Sequence, residues 1–244
     1  MQIPWYYMWS DNYRFFRELL RDSIKESEIV VKEIYIPQEK FDAELYKFED
    51  KHYWEGSLIK LDAIIKSLNE AKENSDKYIL FTDIDIVVKK PIYSILKKYI
   101  DENYDMVFFK EDPKLNIGFM LLRVTDEVLT FWLMVREKML RGGLDQVYVN
   151  ELIQHFPGRY STFNQEIFTC NTTWNYSTDF LIMQLQCSSL GKEFNMAEKI
   201  FNAAQYTNVE NYMQYVPEEI IPYIYKFQEL LYLSHQEAKT AGIL

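Results

Sequence analysis

The sequence predicts a single α/β domain, with a central sheet flanked by helices and a helical segment closing the chain. Three observations carry this expectation: apolar runs of strand length alternate with stretches of helical period, 48% of the 244 residues are hydrophobic, and only 7 are glycine. Alternating strands and helices build layered cores, this length suits one large core better than two small ones, and scarce glycine favours regular elements over long loops. No repeat, low-complexity linker or domain boundary divides residues 1–244, so residues 195–244 are expected as a helical segment packed on the same domain.

Ile3 to Trp9 reads as a first strand, followed by Ser10 and Asp11 as natural caps for a helix with Tyr13, Phe16, Leu20 and Ile24 on one face. A second strand, Ile29 to Ile36, stops at Pro37, and a helix follows with Leu58, Leu61, Ile65 and Leu68 as its apolar stripe. Gly56, Lys60, Ala63 and Ser67 share another face of that helix, small except for one lysine, which invites close approach. Tyr78 to Val88 reads as one buried central strand carrying two acids and ended by Lys89, Lys90 and Pro91. A helix over Ile92 to Ile100, strands at Met106 to Phe109 and Ile117 to Leu122, and a helix over Asp126 to Leu140 continue the alternation. Gly142 and Gly143 end that helix, Asp145 opens another, and Gly158 breaks it. A β-like region runs through Trp174 to a strand at Leu181 to Cys187, and the chain is helical after Phe194.

Composition narrows the partners. Lys and Arg number 27 against 37 Asp and Glu, a formal charge of −10, the opposite of the basic footprint that neutralises nucleic acid. A phosphorylated ligand would need a local site built from a metal, lysines or backbone amides. Cys170 and Cys187 are the only cysteines, too few and too far apart for a disulfide scaffold. The N-terminus lacks the pattern of a signal peptide and no apolar run reaches membrane-span length, so a cytoplasmic protein without a transmembrane segment is expected.

The chemistry gathers at YILFTDIDIVV. On a regular strand, Asp83 and Asp85, two apart, would leave on the same face. A hard divalent cation would relieve their repulsion and keep positions open for diphosphate oxygens. The competing interpretation is a solvated acidic pair, although strands disfavour Asp and this one is otherwise apolar. His52, His155 and His235 have no ligand spacing and read as ordinary surface or core residues.

Around this pair the sequence resembles the GT-A fold glycosyltransferases, especially the retaining families 8 and 77, over most of residues 3–194. Trp9-Ser10-Asp11-Asn12-Tyr13 is similar to the family's nucleotide-binding loop. Leu115 to Arg123, LNIGFMLLR, is similar to the segment that places Asn116 and Gly118 beside the donor sugar. LDQVYVN resembles the family's DQDxLN helix start, with Asp145, Gln146 and Asn150 matching and Val147 departing. GRY from Gly158 and TTWN ending at Asn175 follow in family order. In QLQCSSLGKEF, Lys192 matches the diphosphate lysine of an HxxGxxK motif, with Gln186 in place of the metal-binding His and Ser189 in place of Gly.

The resemblance implies a Rossmann-like GT-A domain with a mixed, mostly parallel sheet, binding a nucleotide-sugar donor and a glycan or other hydroxyl acceptor. It implies Mn2+ (or Mg2+) held by Asp83, Asp85 and Gln186, with Lys192 on the diphosphate; charge counting adds Lys60, alone on the small face of its helix, as a second cation for the diphosphate. Gln146 would stabilise the sugar cation in a retaining reaction, and Asp145 would be the base in an inverting one. Two alternatives stand beside it: a GT-A module that binds carbohydrate or a partner without catalysis, and a haloacid-dehalogenase-like phosphatase, whose first motif FTDIDIVV also resembles.

Overall fold

The computed structural model describes residues 1–37, 51–111, 113–164, 168–171, 180–185 and 194–240. Strand β1 (Ile3–Trp9) leads through a tight turn at Asp11–Tyr13 into α1 (Arg14–Ser23) and β2 (Ile29–Tyr35). Helix α2 (Lys51–Glu73) then precedes β3 (Tyr78–Thr82), β4 (Ile86–Val88), α3 (Tyr93–Asp101) and the hairpin strands β5 (Met106–Glu111) and β6 (Lys114–Arg123). Helices α4 (Asp126–Met139) and α5 (Asp145–Leu152) follow, then β7 (Tyr160–Thr162), β8 (Phe168–Asn171) and β9 (Ile182–Leu185). Helices α6 (Asn195–Ala204) and α7 (Ile221–Thr240) close the chain, separated by short turns at Glu210–Tyr215 and Glu218–Ile220.

Six strands form the main sheet in the order β2-β1-β3-β6-β5-β7. β1 runs parallel to β2 and β3, and β5 parallel to β7, while β6 lies antiparallel between β3 and β5. The central strands are apolar on both faces, as expected of strands covered from two sides. Trp5, Tyr7, Leu80, Val107 and Phe119 enter one core with α1, α3, α6 and α7, whereas Tyr6, Ile79, Phe81, Phe108 and Met120 enter the other with α2, α4 and α5. Burial of each such side chain contributes about 1.5–3 kcal/mol. On α2 the buried stripe is Leu61, Ile64, Leu68 and Ala71, and the small face around Ala63 and Ser67 is buried with it.

The expected strand Tyr78 to Val88 is two strands in two sheets. β3 ends at Thr82, the chain turns through Asp83-Ile84-Asp85, and β4 pairs with β9, which pairs with β8 in a separate three-stranded sheet. The continuous hydrophobicity is real, since Ile84, Ile86 and Val87 are buried, but these residues fill the space between sheets. The two acids therefore do not sit on one strand face; they occupy the crossing between two sheets.

Candidate functional site

Parallel neighbours β1 and β3 end side by side, with Tyr7 opposite Thr82 and the Trp5 indole N–H donating to Thr82 Oγ1 at 2.9 Å. The loop after β1 and the turn after β3 therefore share the C-terminal edge of the sheet, where open α/β folds bind ligands. At the end of β1, Trp9 has the Arg17 guanidinium 4.6 Å from its ring centroid and the Tyr35 ring 4.9 Å away. Arg17 is fixed by Glu33, and the Tyr35 hydroxyl donates to Asp11 Oδ2 at 2.8 Å. Ser10 is buried, its carbonyl accepting from Tyr13 N, while Asn12 and Tyr13 are half-buried.

The second element is the Asp83–Asp85 turn, held from both sheets. Asp83 N donates to Gly118 O at 2.8 Å in the main sheet, and Leu185 N donates to Asp85 O at 2.9 Å in the small one. Asp83 Oδ1 lies 2.5 Å from the Lys60 ammonium of α2, and Oδ2 accepts from Gln184 Nε2 at 2.9 Å. Asp85 Oδ2 pairs at 2.5 Å with Lys199 of α6, both side chains being about nine-tenths or more buried at 10% and 8% exposure. Lys60 and Lys199 thus reach the turn from helices of opposite core layers.

Burial opposes the charge on Lys60, yet the carboxylates of Asp83, Asp145 and Asp85 outweigh it and hold its proton above the usual lysine range. Burial raises Asp83 above the ordinary carboxylate range, Lys60 pulls it back, and Asp85 pushes it up again. Asp145 is also raised by burial, with Lys60 and the Gln146 N–H opposing.

The third element comes from β6 and α5. Gly142 and Gly143, at φ of 94° and 101°, take the left-handed turn that ends the α4 segment and aims the chain at Asp145. Asp145 is buried at the start of α5, its Oδ1 accepting from Gln146 N at 2.7 Å. Asn150 ties this helix to β6 by accepting from Leu115 N and donating to Leu115 O. Asn116 Oδ1 accepts from Gly118 N at 2.6 Å, and Glu111 Oε2 accepts from both Asn116 Nδ2 and Gln146 Nε2, at 3.1 and 3.2 Å. Gly118 leaves room for Gln184: a Cβ there would lie 2.0 Å from its amide nitrogen.

Of the residues singled out from sequence, Lys60 and Asp83 meet directly, with Asp145 and Asp85 close enough to act electrostatically on Lys60. Asn116 and Gln146 join through Glu111, and Trp9 to Tyr13 lie along the same edge. Gln186, Lys192, Asn175 and Trp174 fall outside the described residues. Gly158 and Arg159 sit at the opposite edge, where Arg159 N donates to Asp105 Oδ2 beside the start of β5. Lys199, Gln184 and Glu111 were not singled out as site residues. Glu111 lies just past the expected end of its strand at Phe109.

A divalent cation prefers carboxylate oxygens and finds Asp85 Oδ1 buried with no hydrogen-bond partner. No group of three or more His, Cys, Asp or Glu side chains suited to a metal assembles among the described residues. Asp83 and Asp85 are the carboxylates that would hold such an ion, Asp85 through its unpartnered Oδ1.

No protein-family model matches the sequence, and no curated protein matches it. Solved structures do. One is a glycosyltransferase involved in glycosylation of the major capsid of PBCV-1, at 18% identity over 84% of this chain and all of that one, with a TM-score of 0.59. The chain has a GT-A glycosyltransferase fold. Galactosyltransferase LgtC in complex with donor and acceptor sugar analogues matches at 12% identity over 91% of this chain and 100% of that one, TM-score 0.50. The bifunctional glycosyltransferase WbbM matches at 12% identity over 88% of this chain and 51% of that one, TM-score 0.53. The acid pair follows the third strand of the chain, not the first. Among the described residues no helix is long and apolar enough to cross a membrane.

Proposed function

We propose that the chain is a glycosyltransferase that moves a hexose from a nucleoside diphosphate sugar, with UDP-sugars as the first choice, to a hydroxyl of a glycan or other acceptor. Retention of configuration and dependence on Mn2+ or Mg2+ at Asp83 and Asp85 belong to the same proposal. The observation that carries it is the pairing of two neighbouring aspartates with two lysines, one of them buried, at the ligand-binding edge of this fold. A nucleoside diphosphate brings about −2 and the two aspartates −2, while one divalent ion returns about +2. Lys60 and Lys199 supply the balance.

A bound cation would polarise the diphosphate and offset charge on the leaving group. The chain's own residues position and neutralise. Lys60 keeps its proton beside Asp83 and adds a fixed positive charge. Glu111 accepts from Gln146 Nε2 and leaves the amide oxygen free to face positive charge developing at the anomeric carbon. Asp145 is poorly suited to act as an inverting base, because it is 6% exposed and already accepts the Gln146 N–H, which supports retention. The Trp9 to Tyr13 loop would receive the base and ribose.

The ion pairs on both acids also support a second reading, a carbohydrate- or partner-binding module in which lysines fill the site permanently. Thermal unfolding with UDP or GDP, each with and without manganese, separates the two. A ligand at 100 times its Kd stabilises the fold by about 2.7 kcal/mol. The transferase reading expects a manganese-dependent UDP shift that Asp85→Asn abolishes, while metal-independent or absent nucleotide binding favours the module. Product stereochemistry by NMR then tests retention, and an inverted product would overturn that part.

A further inference from the structure

Asp85 is unevenly satisfied. Oδ2 holds the Lys199 ammonium, whereas Oδ1 is buried without a hydrogen-bond partner. A half-satisfied buried carboxylate is costly, and buried ion pairs give little net stability for what they cost to desolvate. This pair stands at a candidate metal seat. Lys199 comes from α6, in the C-terminal helical segment, so that segment contributes a charge to the site.

We infer that Lys199 is a built-in cation that stands in for the metal at Asp85 when no donor is present and transfers its charge to the donor diphosphate when the metal takes that carboxylate. The inference rests on the metal site proposed above. An ammonium bonded to one oxygen of a buried carboxylate repels a divalent ion approaching the other, and with so little water nearby that repulsion is weakly screened. Metal alone therefore competes with Lys199 and binds weakly. A nucleoside diphosphate offers the displaced ammonium a new anionic partner, so nucleotide and metal strengthen each other's binding by the same factor. No covalent step is involved; one ion pair is exchanged for another.

The test is Mn2+ binding, read from the EPR signal of free Mn2+, with and without UDP, in the wild type, Lys199→Gln and Lys199→Arg. Glutamine keeps a donor for Asp85 and removes the charge; arginine keeps the charge. Wild type is expected to bind Mn2+ at least about tenfold more tightly with UDP than without, a coupling near 1.4 kcal/mol. Lys199→Gln is expected to bind Mn2+ alone at least about tenfold more tightly than wild type and to lose most of the UDP enhancement. Lys199→Arg should behave as wild type. If Lys199→Gln folds only when Mn2+ is added, that also supports the exchange. Unchanged or weaker Mn2+ binding by folded Lys199→Gln, with UDP enhancement intact in wild type, overturns the exchange and leaves the metal site standing. Wild-type Mn2+ binding insensitive to UDP overturns the exchange even if the variants fail to fold. Absence of Mn2+ binding by wild type under both conditions overturns the metal site as well.

Discussion

Replacing Lys60 with methionine removes the positive charge that Asp83 and Asp145 share. Two unit charges about 4 Å apart at an effective dielectric near 20 interact by about 4 kcal/mol. Asp83 keeps 31% of its side chain exposed, so water recovers part of that loss. Asp145 is 6% exposed and recovers little. A loss of about 2–4 kcal/mol is expected near neutral pH, or roughly 5–15 °C in melting temperature for a chain of this size. The pH dependence follows from the shifts. Asp83 and Asp145 both have folded-state values raised above their unfolded ones. The folded chain thus holds their protons more tightly, and each group opposes folding as pH rises through the raised value. That cost vanishes below the ordinary carboxylate range. Lys60 is raised too, so its own contribution persists until alkaline pH exceeds the lysine range. Without Lys60 both carboxylates rise further, and the difference from wild type should be largest near pH 8 and shrink near pH 5. Urea unfolding followed by tryptophan fluorescence at both pH values measures this, with Lys60→Met/Asp83→Asn expected to recover part of the loss. A loss below about 1 kcal/mol, or one equal at both pH values, would refute the electrostatic account.

Gly118→Ala places a Cβ on the Gln184 amide, but that amide ends a flexible side chain and can swing away. The cost should be about 1–2 kcal/mol, mainly the lost bond to Asp83; a loss above about 4 kcal/mol in thermal unfolding would mean the backbone had to move instead. Asn150→Ala removes bonds to Leu115 N, Leu115 O and Gln146 O, and should cost about 2–3 kcal/mol while loosening Gln146. Chemical denaturation checks the first part and initial rates check the second. Glu111→Ala should lower kcat with little change in donor KM or melting temperature, because Glu111 positions Asn116 and Gln146. Glu111→Gln, whose amide oxygen still accepts, should restore part of kcat, and equal defects in the two variants would count against positioning.

Much of the fold could be read from local pattern. β1 spans the expected Ile3–Trp9, and β2, α3 and α4 begin or end within a residue or so of their expected limits, because apolar runs, caps and prolines act on near neighbours. The hairpin strands β5 and β6 run longer than expected since Lys110, Glu111 and Lys114 continue the ladder as polar residues. The split of Tyr78 to Val88 was not legible, because it depends on Ile86 pairing with Gln184 about a hundred positions away. In the site, Asp83 and Asp85 stood out by residue type and spacing, and Asn116 and Gln146 through the resemblance of their segments to the family's. Lys199 could not, because a lysine beside Glu198 on a helix ordinarily faces water; only tertiary packing buries Glu198, Lys199 and Asn202 together. Lys60 could be singled out because its neighbours on the helix are small.

The aspartate turn is anchored at one end to Gly118 and at the other to Leu185, which makes it a hinge pin between two sheets that otherwise carry their own hydrogen-bond ladders. Sliding of one sheet against the other would change the spacing between Asp83 and Asp85 and strain the Gln184–Asp83 bond. Conversely, a ligand that grips both carboxylates sets the relative position of the sheets. Occupancy by such a ligand should therefore slow amide exchange across β4 and β9 as well as in the turn itself.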